Sequence, residues 1–504
     1  MNADAPDDTV YRPRGVRLAS GSMYSLVSMV ATRAAGVVNA IVIIRVLGPN
    51  DYGVLSIVTL TASVMLLFAT FQIPAALVKH LSDMPRNSHD EVSRLISSGV
   101  LLTAVATALA MLTMIILAPI LAFQVFGDSR MQLLLLIASL SLLLSSISAP
   151  LFATFQGFER IKELGIRTAV SAILSIPSTV GLVVLLGLLG AVIALAVNSC
   201  ISIVVNLALL RKILVSHDIR LRLAFSRAAC KKLLDYSYLA VLSEAVATLT
   251  MWYCNSLLAT SESFVELGRY SAGYGLAAHL LFISVSIGVP LVPMVSRLRR
   301  ENPAEMPRFV TSTIRVGSFL MLIPTLLLVA LPEPFLRILY DAPYVAAAPV
   351  VRFTTPAMFL AGMGAIVRYT MAGTGQMRGG LLLNVIWAAI IIILSLVLIP
   401  RSGEVGLALA VLCAYAVLFI AAMIFAKVSW KVELSQLSTV LLIAFISILA
   451  ATVISMFSGW GRFALALLLV AAVTYSGLKT MNRREVEVLF QPLRKVVSWI
   501  QTRQ

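Results

Sequence analysis

GGLLLNVIWAAIIIILSLVLIPRSGEVGLALAVLCAYAVLFIAAMIFA, residues 379–426, is two apolar runs joined by three residues. Residues 379–400 hold no charged side chain. The connection Arg401-Ser402-Gly403 leaves room only for a tight turn, and Glu404 opens a second run that continues to Ala426. A helix that crosses a bilayer core needs about 20 apolar residues, and each run has that length. Barrel strands would be about 10 residues long with strict alternation, which these Leu-, Ala- and Ile-rich runs lack. The stretch reads as two membrane helices back to back, and it sets the fold class as all-α and polytopic.

The same reading extends outward in both directions. Apolar runs fall at 19–45, 53–78, 95–120, 131–155, 166–187, 190–210, 233–259, 267–295, 309–331, 345–371, 379–400, 404–426, 434–457 and 462–478, giving about fourteen transmembrane helices. Hydrophobic residues make up 60% of the 504 and charged residues only 12%, about half the usual share, and mean hydropathy is +0.96. Such a surface excludes most soluble enzymes, nucleic-acid binders and disulfide scaffolds. The net charge of +16 does not point to nucleic acid, because the basic residues sit in short loops between apolar runs. Residues 1–17 are polar and the first apolar run is too long for a signal peptide, so no cleavable signal is expected.

Those loops set an orientation. With both tails counted, one set of loops carries 29 Lys and Arg residues; the opposite set carries Arg45, Arg130, Arg337, Arg401 and Arg462. Basic residues are retained on the cytoplasmic side, so both termini are expected in the cytoplasm, in an inner-membrane protein with an even number of helices. The tail around 484–500 mixes apolar and basic residues and is a candidate interfacial helix.

Landmarks also recur about 216 residues apart. Leu47-Gly48 before Tyr52 is matched by Leu267-Gly268 before Tyr270, Pro74 by Pro290, and Gly157 by Gly373. The pattern predicts two parallel six-helix halves plus two extra C-terminal helices, as in transporters built on repeats. The expected organisation is a tail at 1–18, a first half at 19–210, a basic linker at 211–232, a second half at 233–426, two further helices at 427–478 and a basic tail at 479–504.

Five basic residues fall within or at the edges of spans: Arg33, Arg269, Arg315, Arg352 and Arg368, against the acids Glu244 and Asp235. A charge in hydrocarbon is costly and is kept for function or paired. Arg33 lies mid-span beside Ser25, Ser28, Thr32 and Asn39, a polar helical face, and is the first candidate for contact with cargo. Arg352 is the second, with Asn39, Arg269, Arg368 and Arg315 behind it; Arg315 and Arg368 can also snorkel to lipid phosphates. Glu244 shares a face with Thr248 and Asn255 and is either an ion-pair partner of Arg33 or a titrating group. The surplus of arginine, whose planar fork suits phosphate and carboxylate, favours an anionic cargo. The scattered Cys200, Cys230, Cys254 and Cys413 and four histidines give no metal-ligand spacing. No P-loop, HExxH or GxSxG is present, so neither enzyme chemistry nor a cofactor is expected.

Three motifs carry a family resemblance: Arg45-Val-Leu-Gly-Pro-Asn-Asp-Tyr-Gly-Val-Leu-Ser, Phe155-Gln-Gly-Phe-Glu-Arg and Leu267-Gly-Arg-Tyr-Ser-Ala-Gly-Tyr. In order and spacing they resemble the polysaccharide transport family, which includes O-antigen-type lipid-linked oligosaccharide flippases and belongs to the multidrug/oligosaccharidyl-lipid/polysaccharide (MOP) exporter superfamily. The resemblance implies a V-shaped pair of bundles, a cationic cavity and alternating access. It also implies a polyprenyl pyrophosphate-linked glycan as cargo, membrane lipids as surroundings, and a polymerase and glycosyltransferases as partners. Lipid II flippases share the fourteen-helix plan, but Asp51-Tyr-Gly departs from their pattern; multidrug exporters usually have twelve helices and a buried acid. A membrane scaffold for glycan assembly is the non-transporting alternative.

Overall fold

The computed structural model describes residues 14–82, 89–158, 161–216, 226–457 and 459–480, and no strand occurs among them. The interfacial helix expected near 484–500 and the middle of the 211–232 linker lie outside the described residues. Ten helices among those described are long and apolar enough to cross a membrane. Three of them run 41, 47 and 52 residues; at about 1.5 Å per residue each spans roughly twice a bilayer core of about 30 Å. Each is broken by one glycine with non-helical angles: Gly48 in α1 (Arg14–Thr70), Gly187 in α5 (Ile161–Ser216) and Gly403 in α12 (Met377–Trp430). Each of these three is therefore two spans. The ten thus count as thirteen, among them α8 (Leu281–Glu301), which α7 (Phe264–Ala278) precedes, and α6 (Arg227–Ser261), long but less apolar, completes the polytopic plan of about fourteen spans.

The chain divides into two compact units, Met1–Thr248 and Leu249–Gln504. The division falls inside α6, not at the basic segment 211–232, because the N-terminal part of α6 belongs to the first core. There Leu233 packs with Ile73, Leu77 and Leu81 of α2 (Ile73–Ser82), Leu95 and Ile96 of α3 (His89–Pro119) and Ala153 of α4 (Arg130–Gly157). The span read as continuous over 53–78 is broken at Phe71 and Gln72, both at positive φ. Pro74, with no N–H to give the carbonyl of Thr70, forbids a regular helix there.

In the second unit, α9 (Met306–Ala330), α10 (Pro332–Tyr340), α11 (Ala348–Gly373), α13 (Leu434–Ile454) and α14 (Trp460–Thr480) accompany α7, α8 and α12. The backbone of its central hairpin repeats that of the first unit. Gly187 (φ 57°, ψ −130°) and Gly403 (φ 52°, ψ −129°) are 216 residues apart and adopt one conformation, which L side chains rarely enter. A Cβ on Gly190 would lie 1.9 Å from the carbonyl oxygen of Leu182, and one on Gly406 would lie 2.2 Å from that of Leu398. Residues eight apart in a straight helix are about 12 Å apart, so each chain doubles back at its glycine.

Candidate functional site

Within the first unit, α1, α4 and α5 line an open cavity of about 480 Å³, within the range of small-molecule sites. Its wall is polar at helical spacing: Ser141, Ser145 and Ser148 with Phe152 on α4, Asn198, Ser199 and Ser202 on α5, Thr59 and Ser63 on α1. Most of these hydroxyl protons are already spent. Thr59 donates to Leu55 O (2.9 Å), Ser63 to Thr59 O (2.7 Å), Ser141 to Ala138 O (2.7 Å) and Ser199 to Leu195 O (2.8 Å). The back-bonded hydroxyls turn lone pairs, not donors, toward the space. Ser145 and Ser199 share a hydrogen bond of 2.8 Å across the wall.

Among the described residues one cation lines the cavity, Arg167. Its Nε donates to Asn206 Oδ1 at 3.0 Å, and its guanidinium carbon sits 4.5 Å from the centre of the Phe152 ring, a cation–π contact. Asn206 is fully buried and is held in turn by Ser148 Oγ at 2.7 Å. The Nη nitrogens of Arg167 make no hydrogen bond to the described residues and remain for a ligand. The two arms of the α5 hairpin are stitched together by this pair and by Asn198, which accepts from Ser178 at 2.7 Å and donates to Thr179 at 3.0 Å.

The sequence reading counted Arg167 among loop cations and missed this site. The signal was present: Ser141, Ser145, Ser148 and Phe152 follow helical spacing, as do Asn198, Ser202 and Asn206. The residues singled out from sequence lie elsewhere. Arg33 and Glu244 are exposed on α1 and α6, and no salt bridge joins them among the described residues. Asn39 donates to Ser175 at 3.1 Å, tying α1 to α5. The side chains of Ser25 and Ser28 lie outside the described residues.

The second unit holds the other four arginines apart from one another. Arg352 pairs with Glu333, which also accepts from Arg462 Nη2 at 2.5 Å, while Arg462 Nε donates to Ala330 O at 2.6 Å. Arg352 is thus one member of an ion triad that ties α10, α11 and α14 together. Arg315 is buried in α9. Arg368 runs back along α11, with Nη2 3.5 Å from Ala361 O, near the hydrogen-bonded hydroxyls of Tyr274 and Tyr415. Arg269 faces Glu404. The count of five cations against two acids is therefore corrected: Glu333 pairs with Arg352 and Arg462, and Glu404, which opens a span, lies near Arg269.

The sequence profile of the family described as polysaccharide biosynthesis protein matches residues 18–299. Among solved structures, the chain is similar to the lipid II flippase MurJ in an inward closed conformation (TM-score 0.70, 15% identity, 94% of this chain and 99% of that one). It is also similar to an inward-facing multidrug resistance MATE transporter of the MOP superfamily (TM-score 0.64, 13% identity, 80% and 98%). A third similar structure is a MOP superfamily transporter from Pyrococcus furiosus with a binding pocket of reverse polarity (TM-score 0.59, 14% identity, 81% and 94%). No curated protein sequence matches the chain. At these identities the structures speak for the fold alone, and the profile covers more than half of the residues: the chain is a multi-pass membrane protein with the MOP transporter fold and belongs to the polysaccharide biosynthesis protein family.

Proposed function

We propose that the chain is a flippase that moves a polyprenyl pyrophosphate-linked oligosaccharide from the inner to the outer leaflet of the cytoplasmic membrane by alternating access, for surface polysaccharide assembly. One observation carries this reading: a single guanidinium with free Nη donors projects into a space walled by hydroxyl lone pairs. The guanidinium fork suits a phosphate, and lone pairs of serine and threonine suit the hydroxyl donors of a sugar. The 29-to-5 distribution of basic residues supports a cytoplasmic position for both tails. Arg33, exposed on α1, is retained as a second contact for the cargo. A polymerase and glycosyltransferases are the partners this role requires.

The test is leaflet transfer by purified protein in vesicles. A fluorescent polyprenyl pyrophosphate oligosaccharide placed in one leaflet should become accessible to an impermeant quencher from the other side, faster than in protein-free vesicles. Preference for a peptide-bearing lipid II analogue would favour the peptidoglycan alternative, and export of a cationic dye would favour the multidrug one. No transfer of any of the three would leave the scaffold reading.

A further inference from the structure

The wall of the first-unit cavity is sorted along its length by what it can offer a hydrogen bond. At one end the protons are used up inside the protein. Thr59, Ser63, Ser141 and Ser199 each donate to a backbone carbonyl of their own helix. Because the Ser199 proton lies on Leu195 O, the 2.8 Å bond between Ser145 and Ser199 takes the proton of Ser145 as well. Each of these hydroxyls therefore meets the cavity as an acceptor. Among the described residues no acidic side chain lines the cavity, and no cation but Arg167.

The other end donates. The Nη nitrogens of Arg167 lie there, and its Nε–Asn206 bond of 3.0 Å leads on to Ser148, whose Oγ accepts from Asn206 Nδ2 at 2.7 Å and whose own proton goes to no described residue. Ser202, one helical turn before Asn206 on α5, lines the cavity and likewise donates to no described residue. From Ser148 back to Ser141 is seven residues of α4, a rise of about 10 Å, the length scale of a sugar phosphate. An anion held at Arg167 therefore sets its attached ring against the acceptor end. A hydroxyl on that ring supplies the proton the wall lacks. A carboxylate in the same place would face lone pairs with no donor and no second cation, and would lose water without compensation. A site built for one donor pattern rejects the analogue that leaves its groups unpaired.

We propose that this cavity selects its cargo by the charge of the sugar next to the phosphate, taking a neutral, hydroxyl-bearing ring and refusing a uronic acid. The proposal rests on the reading of the cavity as the cargo site. It adds a polarity to that site: the phosphate lies toward Phe152 and Arg167, and the ring toward Thr59, Ser63 and Ser141. Selection is then made by the hydroxyls that touch the ring and not by Arg167, whose phosphate contact every cargo of this kind would share.

The test is a matched pair of short-chain polyprenyl pyrophosphates, one glucosyl and one glucuronosyl, which differ only in a hydroxymethyl against a carboxylate. Binding to the purified full-length protein is measured by calorimetry at neutral pH, and each compound is then used as a competitor of fluorescent-cargo transfer in proteoliposomes. The glucosyl compound should bind roughly tenfold or more tightly than the glucuronosyl one. Ser63→Lys, at an exposed position of the wall, brings a cationic donor to the acceptor end. It should cut the preference to about threefold or less by tightening the glucuronosyl compound; Thr59→Lys takes its place if Ser63→Lys folds poorly. Equal binding of the two compounds by the unmodified chain, preference for the glucuronosyl one, or a preference that a folded lysine variant leaves intact overturns the proposal while the flippase reading stands. Binding of neither compound overturns both.

Discussion

Replacing Arg167 separates the role of the first-unit cavity from its architecture. In Arg167→Ala the cavity loses its one cation, and any cargo phosphate held by the Nη pair loses a charge-assisted hydrogen bond, worth about 1.5–3 kcal/mol. That corresponds to a roughly 10- to 150-fold weaker apparent affinity. The substitution also removes the 3.0 Å bond from Nε to Asn206 Oδ1. Because Asn206 is fully buried, its stranded acceptor should cost about 1–3 kcal/mol of stability. The double variant Arg167→Met/Asn206→Leu removes both partners and should restore most of the stability without restoring transport. Arg167→Lys keeps the charge but not the fork, and should sit between the unmodified chain and Arg167→Ala. The assay is the initial rate of quencher-accessible fluorescence in proteoliposomes against cargo concentration, at matched protein incorporation, with unfolding midpoints measured in parallel. An unchanged rate curve for Arg167→Ala at normal incorporation would refute the assignment of this cavity to cargo.

Arg462→Ala should lower the unfolding midpoint by the equivalent of about 1–3 kcal/mol, since Arg462 is buried against Glu333 and Ala330 O while the Glu333 carboxylate keeps Arg352; thermal denaturation in detergent measures it. Asp128, outside the spans, is held below its ordinary 3.8 by hydrogen bonds from Arg130. Its stabilising contribution is therefore fully present above that value and is lost as pH falls through the lower folded value, so the small midpoint difference between the unmodified chain and Asp128→Asn, discounted for exposure, should vanish in strong acid. Gly190→Ala and Gly406→Ala drive a Cβ into the Leu182 and Leu398 carbonyls and should reduce folded yield more than Gly187→Ala, where only the positive φ is penalised, by about 1–2 kcal/mol; fluorescence-detected size exclusion ranks the three.

Much of the fold was legible because the membrane imposes it. Runs such as 379–400 and 404–426 must be helical in hydrocarbon, and Arg401-Ser-Gly403 between them must turn. Breaks inside spans were less so: Pro74 was visible, but the change of direction falls at Phe71–Gln72, set by tertiary packing of α2 on α3 and α4. The site was the least legible part. Arg167 sits at the edge of an apolar run, where composition cannot distinguish a loop cation from one turned inward; its partner Asn206 is 39 residues away, across the Gly187 hairpin. Arg352 looked like an open cation because Glu333 and Arg462, 19 residues before it and 110 after it, lay in presumed loops. Charge in a membrane interior is a pairwise property, and the pairs here are long-range.

The stitching of the α5 hairpin bears on how the chain is made. Membrane helices leave the translocation machinery singly or in small groups, and polar side chains on a lone helix meet lipid without partners, each at a cost. Arg167, Ser178 and Thr179 lie on one arm and Asn206 and Asn198 on the other, in antiparallel register about Gly187. If the two arms partition into the bilayer as one folded hairpin, the amides of Asn198 and Asn206 and the Nε of Arg167 enter already hydrogen-bonded, and the back-bonded serines and threonines never present a bare donor to lipid. A lengthened connection at Gly187 would let the first arm partition alone, so that biogenesis of the cavity would fail before its architecture could.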